Sequence, residues 1–133
     1  MSTLEPGAAL PEIAYEVTRD DLVAYANASG DHNPIHQDDA FARAIGLPGV
    51  IAHGMYTMAL MGRAIGEWTG GAEVVDIGAK FTAPVVVPAE GAATVTFAGT
   101  VGERTDEGLL PISMVVTAGD AKVLGVPRAT VRG

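Results

Sequence analysis

Cysteine is absent from this sequence, and that gap excludes a disulfide framework, a thiolate metal site and a cysteine nucleophile in one step. It fits a reducing compartment. Positive charge is scarce: eight Lys and Arg stand against sixteen Asp and Glu, a formal charge of −8. That is the wrong sign for attraction to nucleic acid or to an anionic membrane surface, so neither partner is expected. An anionic small ligand would need a local cluster of cations, and Arg63, Arg128 and Arg132 are the ones to watch. A long uninterrupted apolar run is missing as well. The most apolar stretch, Val50 to Trp68, is broken by His53, Arg63, Glu67 and three glycines, which suits a buried helix better than a membrane span. The opening residues, MSTLEPGAALPEIAYEV, have no basic start and carry Glu5 and Glu12, so they do not read as a secretory signal and a cytoplasmic location is expected. There is no Gly-rich phosphate loop, no nucleophile-elbow serine and no repeat, and no cofactor is expected.

With 133 residues, 48% of them hydrophobic, the chain has material for one core, and residues 1–133 are expected to form a single domain. Residues 11–17 alternate Ile13, Tyr15 and Val17 with Glu12, Ala14 and Glu16, the period of a half-buried strand. Thr18 and Asp21 then have capping-box spacing, and Leu22, Tyr25 and Ala26 recur at helical intervals up to Ser29-Gly30. Asp38 can cap a short helix, Asp39 to Ile45, stopped by Gly46 and Pro48. A longer helix is predicted from about His53 to Thr69, with Met55, Met58, Ala59, Gly62, Ile65 and Gly66 as its buried stripe. The second half reads as four strands, Glu73 to Phe81, Ala92 to Val101, Leu109 to Thr117 and Lys122 to Val131. Pro127 within the last of these points to an edge position or a bulge. The order of elements is α+β, an antiparallel sheet wrapped around a long central helix.

Chemistry is concentrated in GDHNPIH, residues 30–36. His32 and His36 have the i, i+4 spacing that lets a helix aim two imidazoles at one metal, but Pro34 is incompatible with that helix. No metal is therefore expected. On a helix Asp31 and His36 would point about 140° apart, whereas a chain bent at Asn33-Pro34 can bring them together, a carboxylate beside an imidazole able to act as acid or base near neutral pH. The plain alternative is an Asp that caps a turn and a surface His. The second element is His53-Gly54, where the long helix begins without Ser, Thr, Asp or Asn at the cap. Its first N–H groups are then left for a ligand, or Gly54 is only a point of close backbone packing.

The run YANASGDHNPIHQDDAFARAIGLPGVIAHGMYTMALMG resembles the MaoC-like (R)-specific enoyl-thioester hydratases of the hot-dog fold, and the order of the flanking elements agrees. Within that family the short form looks most like the catalytic B subunits of mycobacterial-type fatty-acid dehydratases. The resemblance implies reversible syn addition of water to a trans-2-enoyl thioester, giving the (R)-3-hydroxyacyl thioester. Asp31 and His36 match the catalytic pair, and Gly54 matches the glycine whose amide polarises the thioester carbonyl. Asn33 matches the asparagine that fixes the loop, and His53 is assigned support of the loop or helix start. The substrate would be an acyl thioester of CoA or of acyl carrier protein. By analogy the chain would form a homodimer, or a heterodimer with another hot-dog subunit. Two competing readings are a non-catalytic or partner-dependent subunit of a heteromeric dehydratase and a hot-dog acyl thioesterase.

Overall fold

The first strand, β1 (Ala9–Val17), hands directly to α1 (Arg19–Ser29) through the Thr18 capping box. The Asp21 N–H donates to Thr18 Oγ1 at 3.2 Å and the Thr18 N–H to Asp21 Oδ2 at 2.8 Å, so two of the donors a helix leaves orphaned satisfy each other's caps. A single 3-10 turn (Pro34–His36) and α2 (Asp39–Ala44) follow, then the central helix α3 (Gly54–Thr69). The remaining elements are β2 (Glu73–Phe81), β3 (Ala93–Val101), β4 (Leu110–Ala118), the two-residue β5 (Ala121–Lys122) and β6 (Leu124–Arg132). The structure is a computed structural model that describes residues 4–132.

The strands form one antiparallel sheet in the order β1-β3-β4-β6-β2, with β5 paired to β4. Alternate residues of β3 and β4, Val95, Phe97 and Val101 with Ile112, Met114 and Val116, turn one face of the sheet onto α3, as a period of two requires. This is the predicted α+β arrangement of an antiparallel sheet around a long helix. α3 is fixed at its far end by Trp68, whose indole N–H donates to Pro11 O at 2.7 Å. Its ring lies over Gly99, where a β-carbon would be 3.1 Å from Cη2. Among the described residues, no helix is long and apolar enough to cross a membrane.

One expectation is corrected and two open alternatives are resolved. The buried stripe of α3 is Thr57, Leu60, Met61, Ala64, Ile65 and Trp68; of the predicted stripe only Ile65 is fully buried, and Met55 is 60% exposed. The buried face carries Leu60, Met61, Ile65 and Trp68 at helical spacing, whereas the predicted stripe includes Gly62 and Gly66, which have no side chain to bury. Pro127 does not mark an edge, because β6 lies between β4 and β2. The bulge half of that expectation holds: the β2–β6 register slips between Gly78↔Arg128 and Lys80↔Gly125, with Val126 at φ +47°, and β4 pairs with β6 only as far as Arg128. The missing Pro127 donor thus falls in a gap of both ladders. The three arginines do not converge either. Arg63 lies over the Tyr15 ring of β1 and pairs with Glu67, while Arg128 and Arg132 are on β6, with β3 and β4 between.

β2 differs from its neighbours in having no buried residue, and Val74, Val75, Ile77 and Phe81 are all exposed. The interior instead centres on Phe97, which is fully buried and edge-on to Tyr15 at 5.7 Å between centroids. Phe97→Ala is expected to lower the unfolding free energy by about 3–5 kcal/mol, read by denaturant titration with the emission of the single tryptophan, Trp68, as probe.

Candidate active site

Gly30 ends α1 in the left-handed conformation at φ +80°, its N–H closing on Ala26 O at 2.9 Å. The residues after it are ordered by their own side chains. The Asp31 N–H donates to Ser29 Oγ at 3.1 Å, the Asn33 N–H to Asp31 Oδ1 at 3.2 Å and the Ile35 N–H to Asn33 Oδ1 at 3.1 Å. Each is a short polar side chain standing in for the backbone two residues on. Pro34 occupies the first position of the 3-10 turn, where its absent N–H is not needed and its fixed φ is an advantage. The proline that forbids an α-helix here therefore starts the turn that swings His36 inward.

His36 is 7% exposed and its Nδ1 lies 2.7 Å from Ile51 O. Since a carbonyl only accepts, Nδ1 carries the proton and Nε2 keeps its lone pair. His53 is 1% exposed, and its Nε2 lies 3.1 Å from Asp31 O, which assigns the proton to Nε2. Its Nδ1 is buried without a partner among the described residues. The two rings stack, with centroids 3.8 Å apart at 24°, and Tyr25 packs against His53 at 4.7 Å. Burial of the ring holds the His53 pKa below the usual histidine value; the Asp31 carbonyl works against this, and the nearby His36 works with it.

The Asp31 carboxylate completes the cluster: one ligating atom each of Asp31, His36 and His53 lie within 4.8 Å of one another. No hydrogen bond or ion pair joins Asp31 to His36, so the carboxylate does not orient that imidazole. The orienting group is a backbone carbonyl, for which sequence carries no residue-type signal. The donor set does not suit a metal ion. A metal binds in the plane of each imidazole, and two nearly parallel rings stacked face to face do not direct their lone pairs at one point.

Asp31, His36, His53 and Gly54 line a pocket of about 730 Å³ whose other walls, including Ile35, Leu47, Ile51 and Val85, are mostly apolar. Asn33 lies behind this wall in the turn, and the exposed His32 does not line the pocket. Gly54 is the first residue of α3, His53 provides no side-chain cap, and the Gly54 N–H has no protein acceptor among the described residues. A free donor at a helix N-terminus thus borders the same space as the carboxylate and the imidazole. Tyr25 and Phe81 also line it, and neither was singled out from sequence, where an aromatic carries no sign of lying beside a site.

The family model for the MaoC like domain matches residues 4–117. The 3-hydroxyacyl-thioester dehydratase Y of Mycobacterium tuberculosis is 42% identical over 82 residues, covering 59% of this chain and 28% of that protein. A solved MaoC-like dehydratase superposes with a TM-score of 0.92 at 34% identity, over 98% of this chain and 41% of the other. A chain of the ChsH1-ChsH2 complex from Mycobacterium tuberculosis does so with a TM-score of 0.79 at 27% identity, over 96% and 94%. The chain thus spans less than half the length of the first two. By the extent of the family match and the fold that carries it, the chain belongs to the MaoC-like domain family.

Proposed function

We propose that the chain catalyses reversible syn hydration of a trans-2-enoyl thioester to the (R)-3-hydroxyacyl thioester. The observation that carries this reading is the convergence of Asp31, the unprotonated Nε2 of His36 and the free Gly54 N–H on one largely apolar pocket. A water held between Asp31 and His36 gives up a proton to this pair as its oxygen attacks the β-carbon. Electron density moves to the thioester oxygen, where the Gly54 N–H and the α3 N-terminus stabilise the negative charge. A proton then returns from the pair to the α-carbon on the same face, so atoms balance and the enzyme ends in its starting state. Asn33 and His53 hold the loop, and the apolar walls take the acyl chain of a CoA or acyl-carrier-protein thioester.

The exposed apolar edge β2 supports a second element of the reading, that the chain works paired with another hot-dog subunit, either its own copy or a different chain. The complex from which one of its structural relatives was solved is in keeping with this. A thioesterase is the weaker alternative and predicts thiol release from crotonyl-CoA in place of loss of enoyl absorbance.

Asp31→Asn and His36→Ala are each expected to reduce hydration of a short enoyl-thioester by at least about 100-fold; the circular-dichroism melt should be unchanged for the exposed Asp31→Asn and lowered but still cooperative for His36→Ala, which loses a buried ring and its bond to Ile51 O, and activity retained in both would sink the assignment. The pH dependence of stability has a definite sign. Burial favours neutral His53 in the fold, whereas the unfolded chain takes up a proton near pH 6.5. The His53 contribution is therefore complete above about pH 6.5 and declines as pH falls towards the lower folded value. Melting temperatures between about pH 7 and 5, above the usual carboxylate range, should fall for the wild type and fall less for His53→Gln.

A further inference from the structure

Phe81 ends β2, pairs through its backbone with Leu124, and is 58% exposed. It belongs to no part of the core, and among the described residues it packs on no other aromatic ring. The ring leans instead across the pocket onto the start of α3. A β-carbon built at Gly54 would lie 2.9, 3.0 and 3.2 Å from Phe81 Cζ, Cε1 and Cε2. Gly54 is not among the glycines at positive φ, so the backbone places no demand for glycine at this position. What fills the space beside its Cα is the Phe81 ring. An exposed phenyl and a bare Cα are thus fitted to each other beside a backbone donor that has no protein acceptor.

We propose that Phe81 is a positioning residue that screens the Gly54 amide from bulk water, so that the hydrogen bond to the developing oxyanion forms in a low-dielectric setting. This rests on the hydratase reading above. A donor flanked by water spends part of its strength on solvent, and its bond to a new negative charge is weakened by the surrounding dielectric; an apolar ring in that place removes both losses. A methyl group at position 54 displaces the ring, at little cost in stability because the ring is exposed and free to swing outward.

The test uses the whole chain with Phe81→Ala, Phe81→Leu and Phe81→Tyr. Amide hydrogen exchange followed by NMR should show the Gly54 N–H exchanging severalfold faster in Phe81→Ala and near the wild-type rate in Phe81→Tyr. Leu60 and Met61 in the middle of α3 should be unchanged, which reports an intact fold. With crotonyl-CoA, kcat should fall roughly tenfold in Phe81→Ala, less than the ~10²–10³ of losing an oxyanion donor outright. KM should change little, and Phe81→Leu should recover part of the loss. Adding Phe81→Ala to Gly54→Ala should cost almost nothing further, since the methyl group has already displaced the ring. Unchanged Gly54 exchange in Phe81→Ala, or full additivity of the two substitutions, overturns the proposal. A wild type that exchanges as expected but hydrates no enoyl-thioester overturns the hydratase reading instead, and with it only the catalytic purpose of the screen.

Discussion

The site hangs on three consecutive residues that belong to no regular element. The N–H groups of Val50, Ile51 and Ala52 donate in turn to Asp39 Oδ1 at 3.0 Å, Ile35 O at 3.1 Å and Val85 O at 2.9 Å. Val50 O and Ile51 O accept from the Val87 N–H at 3.0 Å and His36 Nδ1 at 2.7 Å. Arg19 braces the same place, giving its Nε proton to Val87 O at 2.8 Å and pairing with Asp39 at 2.9 Å. The Val50 and Arg19 contacts hold the Asp39 carboxyl below its usual range, the Val50 bond most of all. Each hydrogen bond is worth only about 0.5–1.5 kcal/mol net, but they share one short rod. Shifting it would move the Pro34 turn, the 85–87 segment and the start of α3 together.

That rod also writes the chemistry. Because Ile51 presents a carbonyl, His36 has one tautomer and one free nitrogen, and a side-chain orienter is unnecessary. Asp31 is then released to face the pocket with its carboxylate while its backbone carbonyl is held by His53. The stack between the two histidines sets one condition: the inner ring stays neutral, since two imidazolium ions 3.8 Å apart would repel across a poorly solvated gap. Burial of His53 meets it.

Features written in local chemistry were legible in the sequence. The Thr18-Asp21 box, the Asp38 cap, the Gly30 stop and the missing cap at His53 each need only a few neighbouring residues, and the structure has all four. The resemblance of the run from Tyr25 to Gly62, with the order of the flanking elements, points to the family and the hot-dog fold. Features decided by distant contacts were not legible. The α3 stripe is a separate case, because Leu60, Met61, Ala64, Ile65 and Trp68 have helical spacing and more apolar surface than the face with Gly62 and Gly66, so its signal was local. Pro127 gave two options, and only the neighbours of β6 choose between them. At the site, the Ile51 carbonyl and the reach of Phe81 are products of tertiary placement, invisible to residue type.

The bareness of β2 makes the pocket mechanically uneven. Its two walls belong to units of different cohesion. On one side the Pro34 turn and α3 are tied to the buried core, and their opening requires that core to open. On the other, the end of β2 is held by its ladder to β6 and contributes no buried side chain, so its local opening costs less than global unfolding. The pocket therefore has one wall, carrying Asp31 and His36, that is set by the core, and one, ending in Phe81, that is set by a single ladder.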